Sequence, residues 1–298
     1  MKGCVTKRLS RTTTALLAAV GAGSVALSAA AQAPVVLDNK QIEIVYVEPS
    51  NANNRQIYEA LRKRRVLEEL KAFLAPLRLP ADQTLTVKIT DVDQCRGLPN
   101  AWFNPHERAV SICYQYIDWY RRLAPRDPTP ERMRAQDAIV GPFLEVLFHE
   151  LGHAVFYFYK VPIFGREEDA ADQIAAYLLT QFGQDVARRT LLGAAYFYDK
   201  TGKVPDKTLF ADTHSTDWQR FYTNLCIAYG GQPDTFKDLV EKGLLPQARA
   251  KGCAREYRQI DHAFRKHIGP HIDQKLLKEV QARQWLRPDD GSCVIDRC

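Results

Sequence analysis

Val146-Leu-Phe-His149-Glu150-Leu-Gly-His153-Ala-Val155 is the stretch on which the reading of this chain turns. It lies inside an apolar run with helical spacing, and it contains an HExxH motif. Four residues on a helix turn 400°, so His149 and His153 lie about 40° apart on one face and about 6 Å apart along the axis. Both imidazoles can therefore reach one ion. Glu150 falls one residue round, beside such an ion rather than on it, where a carboxylate can take a proton from the attacking water. In a chain with seven histidines a chance HExxH has a probability on the order of one in a hundred, so the motif needs company.

Company comes from Gly165-Arg-Glu167-Glu168-Asp169-Ala-Ala-Asp172, which opens the next apolar-periodic helix. A catalytic zinc keeps three protein ligands and one open position, and its ligating histidines need acceptors for their other ring nitrogen. Glu168 as third metal ligand and Asp172 as acceptor for the ring N–H of His149 supply both, since residues i and i+4 share a helix face. Glu167 and Asp169 read as first-turn acids that complement the helix dipole. One tension remains. Pro162 should end the first helix near Lys160, which leaves His153 two turns from that end, while Glu168 sits within a turn of the second helix's start. Either the Phe156 to Tyr159 stretch unwinds early, or the helices cross at an angle, or Asp172 is the ligand. Gly152 inside the motif costs helix propensity; it either marks a close approach by the second helix or by a substrate strand, or is a glycine merely tolerated there.

Working outward, Gln41 to Val47 and Thr84 to Thr90 alternate apolar and polar residues and predict strands. Between them one helix is expected from Asn54 to about Ala75, stopped by Pro76, with Arg62-Lys-Arg-Arg65 on its solvated face. Ala101 to Phe103 and Ala109 to Cys113 flank the turn residues Asn104-Pro105, a hairpin before a long helix. Helical patterns then run from about 131 to 272. This order, strands first and helices second, predicts an α+β fold with a small sheet in the N-terminal half packed on a mainly helical C-terminal half that carries the HExxH helix.

The 298 residues carry 41 Lys+Arg, 35 Asp+Glu and seven cysteines, a formal charge of +6. Four of those positive charges (Lys2, Lys7, Arg8, Arg11) and Cys4 lie in Met1 to Ala31, where a basic start, an apolar run and Ala29-Ala30-Ala31 make the pattern of a signal peptide, expected over 1–31. Residues 32–298 then form a single domain with a near-neutral 37 − 35 = +2. They have no second apolar stretch of membrane-spanning length, so no membrane anchor is expected once the leader is removed. An exported chain, periplasmic or secreted, makes nucleic acid an odd partner and disulfides expected. The nearest-neighbour pairs are Cys95–Cys113, Cys226–Cys253 and Cys293–Cys298, the last closing a tail over 285–298.

His149-Glu-Leu-Gly-His153 followed by Glu168-Asp-Ala-Ala-Asp172 resembles the gluzincin pattern, in which an acid on the following helix completes HExxH and an Asp stands one turn later. More narrowly, Cys95 to Asn100, Asn104-Pro105, Ser111-Ile-Cys-Tyr114, Gly165 to Gln173, His214-Ser215 and Gln219-Arg-Phe-Tyr222 resemble a bacterial family of exported proteins of unknown function, labelled zinc metallopeptidases on their motif. The resemblance spans roughly Ile42 to Ile268 and implies a zincin-like fold, with a strand beside the HExxH helix that can pair with an extended peptide. The resemblance itself implies no substrate; the motif geometry gives the expectation of metal-assisted peptide-bond hydrolysis, with Zn²⁺ as cofactor, Glu150 as general base and a peptide or protein as substrate. His214, in Ala211-Asp212-Thr-His214-Ser215 ahead of a helix that Ser215 or Thr216 can cap, is the candidate donor to the oxyanion. Tyr196 and Tyr222 are lesser donor candidates, with packing their ordinary role. The alternative is an exported zinc-binding scaffold, against which the intact Glu150 speaks.

Overall fold

Alternating burial over 42–46 and 85–90, a fully buried run over 109–113 and a half-buried one over 101–104 build a four-stranded sheet from the N-terminal half of the chain. The computed structural model describes residues 36–91, 95–127, 133–204 and 207–286. Its strands are β1 (Ile42–Tyr46), β2 (Leu85–Thr90), β3 (Ala101–Asn104) and β4 (Ala109–Cys113). They lie in the order β1-β2-β4-β3, the first three parallel and β3 antiparallel to β4. Among the described residues β3 is therefore an edge strand with one side unpaired. The expected hairpin is in place, and Cys95–Cys113 clamps the segment before it to the end of β4.

The helices are α1 (Ala52–Lys63), α2 (Val66–Phe73), α3 (Tyr114–Leu123), α4 (Ala135–Tyr159), α5 (Glu167–Leu179), α6 (Gln184–Thr201), α7 (Asp217–Gly231), α8 (Pro233–Glu241), α9 (Gln247–His267) and α10 (Gln274–Ala282). The fold is α+β. One expectation fails here: the single helix from Asn54 to Ala75 is two, broken where Arg65 takes the left-handed conformation (φ 55°). The spacing explains the break. Ile57 and Leu61 repeat at helical distance, but six residues to Leu67 turn 600°, which puts the next apolar set (Leu67, Leu70) on another face; breaking the helix returns both sets to the core.

Helix α4 is the spine of this core. Leu144, Leu147, Phe148 and Leu151 on it are buried, α4 packs on α5 and α6, and Phe148 meets Phe73 of α2. It is apolar enough over 25 residues to match a membrane span by composition, but it is buried in protein here. Two glycines let α6 approach closely: a Cβ at Gly141 would strike the Thr190 carbonyl, and one at Gly193 would strike the Asp137 carbonyl. Cys226–Cys253 ties α7 to α9. Met1 to Ala31 and the expected Cys293–Cys298 pair lie outside the described residues.

Candidate metal centre

Helix α4 ends at Tyr159, and Lys160 caps it in the left-handed conformation (φ 51°), two residues before Pro162. Residues 160–166 then lead back so that the first turn of α5 stands level with His149 and His153, which removes the tension over Glu168. The Nε2 atoms of His149 and His153 lie 3.2 Å apart, and Glu168 Oε2 lies 3.0 Å from the first and 3.2 Å from the second. Three ligand atoms at about 2.0–2.1 Å from a tetrahedral zinc would be about 3.3 Å from one another. The three atoms thus already stand close to that spacing, and the donor set fits the ion.

Asp172 meets the other side of His149, with Oδ1 2.7 Å from Nδ1. Burial opposes its ionisation, but Arg220 and the bond to His149 outweigh burial and hold its pKa at about 2. An ionised carboxylate can only accept, so Nδ1 of His149 carries the proton and Nε2 is the nitrogen turned to the cluster. Arg220 grips Asp172 with two bonds, Nε to Oδ2 at 2.9 Å and Nη2 to Oδ1 at 2.6 Å. Its guanidinium lies over the Tyr198 ring and 3.6 Å from Glu145, whose other carboxylate oxygen accepts from the Tyr198 hydroxyl at 2.8 Å. Sequence reading missed this Arg220–Glu145–Tyr198 layer. Arg220 lies inside the Gln219-Arg-Phe-Tyr222 segment, but nothing local ties it to an acid 48 positions away. Glu145, one helical turn before His149, was a visible sign: an acid in the middle of an apolar helix.

The first-turn acids do more than complement a dipole. Glu167 Oε1 lies 2.7 Å from His153 Nδ1, so each motif histidine has its own carboxylate behind it. Asp169 accepts from Ser215 Oγ at 2.6 Å, and Arg166 donates to both, which fastens the loop before α7 to the start of α5. That clamp carries His214 over the cluster, with Nε2 3.0 Å from Glu168 Oε2 and Nδ1 3.3 Å from Asp212. His149, Glu168 and His214 also form a group whose ligand atoms lie within 4.8 Å of one another. Thr216, not Ser215, caps α7, in a capping box with Gln219. Tyr196 donates to the Leu123 carbonyl, and Tyr222 lies outside the cleft.

Electrostatics follow from this crowding. Bonds from His149, His153 and His214 drive the Glu168 carboxyl far below the usual range. Burial works against a charged His149, yet its bonds to Asp172 and Glu168 prevail and raise its pKa to about 10. Glu150 moves the other way: burial raises its pKa against the pull of His149 and His153. Among the described residues no hydrogen bond or ion pair holds its carboxylate.

The cluster sits at the waist of a two-part cleft. One part, about 810 Å³, is lined by the edge strand β3 with Phe156, Tyr157, Val161 and Ile163 on the His153 side. The other, about 670 Å³, lies on the His149 side with Trp119, Lys200, Lys203 and Leu209. Ala101 of β3, Glu150 and His214 line both. Gly152 faces away from the cleft; a Cβ there would meet Ile174 Cγ2 at 2.8 Å, so the close neighbour is helix α5.

An HExxH helix, an acid from the helix after it and an edge strand over the pair define a class, the α+β proteins with a candidate metal group in an open cleft. Within it, residues 46–268 match the model of the family DUF4344, described as "Putative metallopeptidase". The chain belongs to that family. No curated protein and no solved structure matches it.

Proposed function

We propose that this protein is an exported zinc peptidase that hydrolyses peptide bonds in extended segments laid along β3. His149, His153 and Glu168 hold the ion, with Asp172 and Glu167 fixing the two imidazoles from behind. A zinc held there would polarise the scissile carbonyl and acidify the attacking water. Glu150 takes the proton from that water and returns it to the leaving amine; burial, which raises its pKa, makes it a better acceptor of that proton. His214, which borders both parts of the cleft, donates to the oxygen on which charge develops. β3 offers its unpaired edge to the substrate backbone, which sets an extended chain across Glu150 and His214. The two disulfides support an oxidising compartment, and with it the export reading.

The observation that carries the proposal is the Glu150 carboxylate: buried, without a hydrogen-bond partner among the described residues, and bordering both halves of the cleft beside the histidines. A metal site with a purely structural role has no use for it. Glu150→Gln keeps the shape and removes the base. The variant is expected to bind one zinc per chain like the parent, and to lose about 10²-fold or more of the parent's turnover of a peptide library. Undiminished hydrolysis by this variant would refute the assignment.

A further inference from the structure

Residues 32–298 carry a net charge of only 37 − 35 = +2, yet helix α9 holds six Lys+Arg against two acids, 6 − 2 = +4, so the remainder of that stretch is slightly acidic. The excess is also ordered in space. At 100° per residue, Lys251, Arg255, Arg258, His262, Arg265 and Lys266 all fall within about 60° of one line along the helix. All six are exposed. No acid shares that sector: Glu256 is taken by Arg249, and Asp261 lies at its border, bonded to Arg265 and to the Tyr177 hydroxyl. Lys251 with Arg255 and Arg255 with Arg258 stand at i, i+4 and i, i+3, where like charges weaken a helix rather than support it. The stripe runs about 22 Å, and none of its residues lines either part of the cleft.

We infer that this face of α9 docks the protein on an anionic lipid surface. A straight row of cations on one side of a single exposed helix presents its charges together to a plane, and each Lys or Arg near such a surface strengthens binding about fivefold. The face has no aromatic side chain within the sector to stack on bases, which separates it from single-stranded nucleic-acid platforms. Docking by α9 leaves the cleft open to substrate while the chain is held at the membrane.

The test uses the chain from Gln32 onward, because the basic leader would itself bind anionic lipid, and sediments it with vesicles of phosphatidylglycerol or of phosphatidylcholine. Binding to phosphatidylglycerol alone is expected, weakening as NaCl rises from 50 to 300 mM through screening. The triple variant Lys251→Glu, Arg255→Glu, Arg258→Glu should lose at least about a hundredfold in affinity, three factors of about five, with its thermal midpoint and zinc content unchanged. Equal binding to both lipids, a triple variant that binds like the parent, or tighter binding to duplex DNA than to the anionic vesicles would overturn the inference. None of these readouts involves hydrolysis, so they stand apart from the test of Glu150.

Discussion

Arg220 is the residue whose removal is most informative after Glu150. Its two bonds fix the Asp172 carboxylate in one plane, and Asp172 fixes the ring of His149. Arg220→Gln leaves Asp172 and Glu145 buried close to one another without a cation between them. Outer partners of metal-ligating histidines typically contribute 10- to 100-fold in affinity, and a loss in that range is expected in a competition titration of zinc against a chelating dye. Arg220→Lys should recover only part of it, because an ammonium cannot make the paired bonds. His214 separates two roles by the same measurement. Its place on a loop, half exposed and bordering both parts of the cleft as Glu150 does, suits a donor to the reacting carbonyl, so His214→Ala is expected to lower kcat by about 10²-fold while zinc affinity changes little. A parallel fall in zinc affinity would make His214 a ligand instead.

At the scale of elements, the level of α5 against α4 decides whether Glu168 reaches the histidines, and Gly152 sets it. An alanine there brings a methyl against Ile174 Cγ2 and Ala171, immediately beside Asp172. Helix propensity improves by up to about 1 kcal/mol, and overpacking costs about 1–3 kcal/mol. Gly152→Ala is therefore expected to destabilise the fold by no more than about 2 kcal/mol in urea titration, but to weaken zinc binding by pushing α5 away. The motif helix, the acids on α5 and the hairpin were legible because each is a local pattern: i, i+4 on a helix, period two on a strand, a turn at Asn104-Pro105. The register that brings Glu168 level with His153 was not, since it depends on how residues 160–166 fold back. The mixed sheet was equally hidden. β1, β2 and β4 pair in parallel across long connections, and no short-range signal in the sequence distinguishes that pairing from an antiparallel meander. The break at Arg65 could have been found, because the apolar spacing jumps to six residues between Leu61 and Leu67, which no single helix face accommodates.

For the whole molecule, the candidate centre joins two helices across the core, so its occupancy should be read in global stability. A ligand present at about 1,000 times its Kd adds about 4 kcal/mol, and at about 2–4 °C per kcal/mol for a chain of this size zinc is expected to raise Tm by roughly 10 °C over the chelator-treated protein. The size of that gap depends on pH, and its sign follows from the site. Without metal, the raised pKa of His149 contributes stability that is fully present below the ordinary imidazole value and is lost as pH rises through about 10. The metal-free protein should therefore weaken across pH 7 to 9. Zinc requires the same imidazoles without the Nε2 proton, so its affinity rises over that range as fewer protons have to be displaced. The two trends oppose each other. The difference in Tm between loaded and metal-free protein should widen steadily from pH 6 to pH 9, measured by differential scanning fluorimetry at fixed free zinc. Curves that stay parallel across that range would mean that the protons on His149 and His153 do not compete with the ion, and that zinc, if it binds, binds elsewhere.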